Sequence, residues 1–307
     1  MESENINGVN VMLIGAIEAG GTKFICGVGT ENGEILHSTS IPTTEPEETL
    51  ARVFAFFAPF QIKVLGVGSF GPIELDQTNV SYGNITTTPK EKWLHFPLLR
   101  TLQAHFGVPI ALDTDVNAAA LGELTWGIAK GLDSCIYMTV GTGIGVGAVI
   151  EGKLLHGMSH PEMGHILVRR QKDDYFEGVC PFHRDCLEGM ASGPAIEKRW
   201  GTKGSELQNK DEVWELQANY IAQALVNYAL ILAPKRMVLG GGVMKQAQLF
   251  PLVRNKFNAY MSGYITNLYI NDLDTYIVPP GLGDFAGLQG ALALAVRKLM
   301  NTDEVHI

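Results

Sequence analysis

Positive charge is in short supply. Lysine and arginine number 23 against 32 aspartates and glutamates, a formal net charge of −9. That balance excludes a polyanion as the main partner, so no nucleic acid and no anionic membrane is expected to be bound. Long apolar runs are missing too. A membrane-spanning helix needs about eighteen or more apolar residues. The nearest approach, "YIAQALVNYALILAP" at 220–234, is broken by Gln223 and Asn227. Cysteine occurs four times in 307 residues, at 26, 135, 180 and 186, which is too few for a disulfide scaffold. The opening "MESEN" is acidic and carries no basic n-region. No export signal is expected, and the protein is read as cytoplasmic. Two nucleotide signatures are absent. No G-x-x-x-x-G-K-[ST] occurs and "GTGIGVG" is not G-x-G-x-x-G, so neither a P-loop nor a dinucleotide-binding turn is indicated.

What is present is an ordinary globular mixture, 46% apolar and 18% charged, with material for two cores. "VMLIGAIEAGGTKFICGVGTENGEILHSTSIP" reads as strand, glycine turn, strand, turn, strand. "EETLARVFAFFAPF" reads as a helix with Glu47 and Glu48 at its positive end, and "PLLRTLQAHFG" as a helix ended by Gly107. "VLGVGSFGPI" is a buried strand running into a loop, and "PIALDTDVNAAALGELTWG" is a strand, a polar turn and a helix. At Ser134 the pattern restarts. "SCIYMTVGTGIGVGAVIEGKLLHG" repeats the three-strand order, and an offset of 120 lays Gly21-Thr22 on Gly141-Thr142 and Glu31 on Glu151. A duplicated three-stranded meander followed by helix–strand units is expected in each half. The later segments include a long helix over 212–233, the strand "RMVLGGGVM" and a terminal helix. No low-complexity linker appears, so the two domains should abut around a cleft. The expected division is 1–118 and 119–289, with the terminal helix, about 290–307, packing back on the first domain.

Three glycine turns stand out: "EAGGTK" (Gly20, Gly21, Thr22, Lys23), "TVGTGIGVG" (Gly141, Thr142, Gly143) and "VLGGGVM" (Gly240, Gly241, Gly242, Val243, Met244). Successive backbone N–H groups in such turns can form an anion nest, and Thr22 and Lys23 add a hydroxyl and a charge. Any one of them alone is better read as a tight hairpin. Three together, two at matching positions in duplicated halves, favour phosphate binding. The arrangement resembles the duplicated actin-like ATPase (ribonuclease H-like) α/β fold, in which two domains clamp ATP between phosphate hairpins.

Asp115 lies where a strand gives way to a helix in "LDTDVNAAALGE". A carboxylate there can accept a proton from a hydroxyl attacking a γ-phosphate. It can equally cap the helix, as Asp or Thr does routinely, so Asp113 and Thr114 are cap candidates too. A second constellation is His165, Cys180, His183 and Cys186, spaced H-x14-C-x2-H-x2-C within the loop 162–188. Four N/S ligands suit tetrahedral Zn²⁺, and an all-protein ligand set implies a structural metal. Glu162 and Glu188 flank these ligands. Held by the metal loop, they could accept hydrogen bonds from vicinal sugar hydroxyls. Each alone could also be a solvated surface charge. Cys26 and Cys135 sit in strands and read as core.

Together these motifs resemble the ROK family (repressors, open reading frames, kinases) of sugar kinases, over nearly the whole chain from Leu13. "EAGGTKF" and "GTGIG" resemble its phosphate motifs, "LGGGVM" its adenosine motif, "HPEMGH" its E-x-G-H, and the stretch from Cys180 to Ala195 its zinc and sugar loop. The resemblance implies Asp115 as catalytic base. It implies Glu162, His165 and Glu188 as sugar ligands, with His165 also on zinc, and Thr142, Pro194 and Gly240–Met244 facing ATP. ATP, Mg²⁺ and structural Zn²⁺ are the implied cofactors, and a homodimer is implied by analogy. There are departures. Many members have Asn-Asp where this chain has Thr114-Asp115, many have a cysteine where His183 stands, and the loop "TTTPKEKW" (86–93) differs from that of glucokinase-like members. These resemble the fructokinase branch and imply fructose 6-phosphate as product. Glucose, mannose or an amino sugar are the competing substrates. A sugar-sensing repressor is disfavoured by the acidic chain and the short stretch before Met12.

Overall fold

The computed structural model describes residues 4–6 and 9–303. The strands β1 (Glu4–Ile6) and β2 (Val9–Val11) form a separate antiparallel pair. A five-stranded sheet follows from β3 (Ile14–Ala19), β4 (Lys23–Gly29), β5 (Ile35–Pro42), β6 (Leu65–Ser69) and β7 (Ile110–Thr114), with α1 (Pro46–Phe57), α2 (Leu98–Phe106) and α3 (Asp115–Thr125). A second holds β8 (Cys135–Val140), β9 (Ile144–Ile150), β10 (Lys153–Leu154), β11 (Met237–Gly240) and β12 (Ile277–Val278). The later helices are α4 (Leu187–Ala191), α5 (Gly193–Trp200), α6 (Asp211–Leu232), α7 (Leu249–Met261) and α8 (Leu273–Tyr276), followed by α9 (Ala286–Asp303), which returns to the first sheet.

The sheets have the same plan. Their orders are β5-β4-β3-β6-β7 and β10-β9-β8-β11-β12, each an antiparallel meander continued by two parallel strands. The central parallel strands β6 and β11 are buried at every residue, as expected for strands covered on both faces. One refinement concerns register. The last paired residues of the first hairpin are Ala19 and Phe24; those of the second are Val140 and Ile144. Ala19 therefore corresponds to Val140, 121 residues on, and Phe24 to Ile144, 120 residues on. The second turn is one residue shorter, so a fixed offset of 120 matches only one side of it.

Local sequence explains the element ends. Pro46 opens α1 with Glu47 and Glu48 in its first turn, and the helix buries Leu50, Val53 and Phe57 on one stripe. Gly107 ends α2 at φ 62°. The core of the second half is built by α6 and α7 over one face of its sheet, with Trp214, Tyr220 and Phe257 fully buried. The core of the first half is built under α1 and α2 around Phe24 and Trp93. Between the sheets lie α3 and α9. Helix α3 packs on β8 and β9 of the second sheet as well as on β6, whereas α9 packs on β3 and β6 of the first. These two helices touch closely at Gly290, where a Cβ would stand 2.0 Å from the Ala118 carbonyl oxygen. Among the described residues no helix is long and apolar enough to cross a membrane.

Candidate active site

The strand β7 ends at Thr114 and α3 begins at Asp115. The helix cap is Thr114: its Oγ1 accepts the Asn117 backbone N–H at 3.1 Å. Neither aspartate fills that role. Asp113 is buried and accepts the Thr114 N–H and the Asn117 side-chain N–H, each at 2.8 Å, while its other oxygen pairs with His156 Nε2 at 2.8 Å. Asn117 in turn accepts the Ala148 N–H through its side-chain oxygen, tying α3 to β9. Asp115 accepts only the neighbouring Val116 N–H, at 2.9 Å, among the hydrogen bonds to its side chain in the described residues. Its carboxyl is thus free for other work. Burial pushes it up from an ordinary 3.8 to about 6.

Other carboxylates crowd the same region. Glu162, though half exposed, is pushed up to about 7 by partial desolvation, then by the charges of Asp115 and Glu188. Glu18, on β3, is pushed up to about 7 by burial and by Asp115, with Lys23 opposing. Its buried Oε2 has no hydrogen-bond partner among the described residues. Glu188 is fixed to the second glycine turn, where its Oε2 accepts the Ile144 N–H at 2.9 Å. A Cβ on Gly143 would lie 2.7 Å from that oxygen, so the glycine admits the carboxylate.

His165, Cys180, His183 and Cys186 converge, with one ligand atom of each within 4.8 Å of all the others. The Cys180 Sγ lies 3.6 Å from His165 Nδ1 and 3.7 Å from His183 Nδ1, and Cys186 Sγ lies 3.5 Å from His165 Nδ1. With Zn–S about 2.3 Å and Zn–N about 2.05 Å, a tetrahedral angle separates S and N by roughly 3.6 Å. The four side chains therefore fit Zn²⁺ without rearrangement. His165 turns Nδ1 to the thiols and leaves Nε2 4.0 Å from Glu188 Oε1. The imidazole thus stands between the metal cluster and Glu188.

The third glycine turn stands between two cavities. One, of about 540 Å³, is lined by Gly141, Thr142, Pro194, Lys203, Gly242 and Val243. The other, of about 550 Å³, is lined by Glu18, Lys23, Tyr137, Gly240, Gly241 and Met244. The first turn is closed by Gly20 N–H donating to Lys23 O at 3.0 Å and held from outside by Thr43, whose N–H donates to Thr22 O and whose hydroxyl donates to Gly20 O. A Cβ on Gly21 would lie 3.3 Å from the Lys90 Cε, so the 86–93 loop reaches back to this turn.

Glu18, the pairing of Asp113 with His156 and the approach of Lys90 to Gly21 were not legible as site features. Glu18 is visible only as the acid opening "EAGGTK", and the other two join distant parts of the chain.

The ROK family model matches residues 14–298. A putative fructokinase of Bacillus subtilis is 52% identical, covering 94% of this chain and 96% of the relative. A fructokinase of Pediococcus pentosaceus is 47% identical, covering 94% and 100%. Among solved structures, a ROK family glucokinase from Streptomyces griseus, in complex with glucose and AMPPNP, superposes with a TM-score of 0.75 at 25% identity, covering 93% of this chain and 99% of that one. The two equivalent sheets, the paired glycine turns and the Cys/His cluster agree with these matches, and the chain belongs to the ROK family.

Proposed function

We infer that the protein is an ATP-dependent fructokinase that converts D-fructose to fructose 6-phosphate. The observation that carries the phosphotransfer reading is the half-buried Asp115, released from helix capping and set among Glu18, Glu162 and Glu188. The choice of fructose rests on the relatives of 47–52% identity and nearly full coverage.

In this reading Glu162, Glu188 and His165 Nε2 bind fructose hydroxyls. Asp115 accepts the proton of the attacking hydroxyl and aims its oxygen at the γ-phosphorus. A value near 6 leaves it ionised at neutral pH yet basic enough to help, since general bases work best near the operating pH. The N–H groups of Gly21, Thr22, Thr142 and Gly143 cradle phosphate oxygens, those of Gly20 and Gly141 being spent on closing the turns to Lys23 O and Gly143 O. Thr142, Pro194, Gly242 and Val243 supply the wall of the nucleotide cavity, with Gly240, Gly241 and Met244 on its far side. Mg²⁺ supplies charge neutralisation on the phosphates when bound. Glu18 fits a cation there, because its buried oxygen lacks any other partner among the described residues. His165, Cys180, His183 and Cys186 would hold Zn²⁺ with no open position, so its work is to stiffen the sugar loop.

The same reading assigns residues 1–118 and 119–289 to two domains, with α9 returned to the first. It places the enzyme in the cytoplasm, where free cysteines persist. It also includes a homodimer, which would help cover exposed Leu167, Phe182 and Ile231. The test is product analysis. Fructose, ATP and Mg²⁺ should yield ADP and fructose 6-phosphate in equal amounts, and absence of sugar phosphate refutes the assignment.

A further inference from the structure

His160 precedes Glu162 by two residues and comes from the second half of the chain, yet it is buried against the first. Its Nε2 accepts the backbone N–H of Ile73 at 3.1 Å, a contact across 87 residues. An imidazole nitrogen that accepts cannot carry the proton, so the proton sits on Nδ1. That nitrogen faces Glu162 Oε1 at 3.4 Å, a close polar contact without the alignment of a hydrogen bond.

The Ile73 side of the bridge is itself anchored. Thr86 donates both its N–H and its hydroxyl to the Pro72 carbonyl, at 2.8 and 3.1 Å. Ile73 pairs with Ile85. At the other end of the segment, the Phe70 N–H donates to the Ala19 carbonyl at 2.7 Å, immediately before the first glycine turn. A continuous set of contacts therefore runs from Glu162 through one imidazole and the Phe70–Ile73 segment to the base of the turn Gly20–Lys23. Burial also pushes the His160 imidazole below its ordinary value, which keeps it in the neutral form this bridge needs.

We propose that His160 is a positioning residue that couples the sugar carboxylate Glu162 to the Phe70–Ile73 segment of the first half, so that sugar binding and the first phosphate turn are set together. The inference rests on the reading of Glu162 as a sugar ligand. It assigns both ring nitrogens a task, so neither half of the imidazole suffices alone.

Two substitutions separate the halves. His160→Gln places an acceptor near the Nε2 position and loses the donor to Glu162. His160→Asn keeps a donor near the Nδ1 position and loses the acceptor for Ile73. Both should lower kcat/KM for fructose at least tenfold through KM for fructose, and His160→Asn, which releases the Phe70–Ile73 segment beside the first phosphate turn, should raise KM for ATP as well. Either variant keeping parental kcat/KM for fructose overturns the coupling. Should the variants fail to fold, the parent protein decides: imidazole ¹⁵N shifts of His160 should show Nδ1 protonated and Nε2 bare at neutral pH. An Nε2–H tautomer or an imidazolium overturns the proposal. Glu162→Gln distinguishes the layers. An unchanged fructose KM there overturns the sugar-site reading and this inference with it. A raised KM there, with both His160 variants silent, overturns this inference alone.

Discussion

Replacing Asp115 with asparagine should abolish most activity while making the protein more stable at alkaline pH. The Thr114 hydroxyl caps α3, and the Val116 N–H needs only an acceptor, which the asparagine oxygen supplies. No fold contact is therefore lost. The carboxyl stands at about 6 in the folded protein against an ordinary 3.8, because burial disfavours its charge. With the folded value raised, its contribution to stability is fully present below about pH 4 and is lost as pH rises through about 6. By pH 8 the ionised group costs up to roughly 3 kcal/mol relative to an uncharged one. Asparagine carries no such cost. The variant should melt several degrees above the parent at pH 8 and level with it near pH 4, by scanning calorimetry. The kinetic effect has the opposite sign. Loss of general-base help costs about 10²–10⁴-fold in kcat, roughly 3–5 kcal/mol of barrier. The fructose dissociation constant should hardly move. A variant with kcat within a few-fold of the parent, or a melting difference independent of pH, would refute the reasoning.

Three further outcomes are expected. Purified protein should carry about one zinc per chain by elemental analysis. Cys180→Ser or Cys186→Ser should lose it and raise KM for fructose more than KM for ATP; metal-free parent enzyme of full activity would count against a structural zinc. Asp113→Asn weakens the pairing with His156 and the satisfaction of buried donors, and should cost about 1.5–3 kcal/mol by denaturant titration at pH 6. The Asp113 hydrogen bond raises the His156 value, so that part of the loss should shrink as pH climbs past it. Gly164→Ala would set a Cβ 1.6 Å from the Ile144 carbonyl oxygen and should drive apart the metal loop and the second hairpin, with zinc and activity lost. Gly152→Ala, at φ 74° with no atom near its added Cβ, should cost only about 1 kcal/mol of backbone strain and keep both.

The parts of the fold read from sequence were those carried by local pattern. Glycine turns flanked by β-branched residues announced both hairpins, and the Cys/His spacing announced the cluster because three ligands fall within seven residues. Gly107 fixed the end of α2 by backbone chemistry alone, whereas Pro46 at the start of α1 went unread. The one-residue difference between the hairpin turns escaped, since a register is set by strand pairing and not by identities in a loop. At β7–α3 the sequence offered three polar residues for one cap. Only the coordinates give the cap to Thr114 and free Asp115. Residues acting across the chain left no local trace. His160 looks like one more polar residue in "HPEMGH" until Ile73 is seen against it, and Glu18 looks like a strand acid until its buried oxygen is found without a partner among the described residues.

On the proposed function, carboxylates held beside the metal loop select fructose for transfer by Asp115. Hydroxyl-reading sites reject sugars that leave buried polar groups unpaired. The most direct measurement is kcat/KM with ATP and Mg²⁺ across fructose, glucose, mannose and N-acetylmannosamine in a coupled ADP assay. Fructose should come foremost, by tenfold or more, with the preference eroded in Glu162→Gln. A preference for glucose or mannose, or selectivity unchanged in that variant, would contradict it.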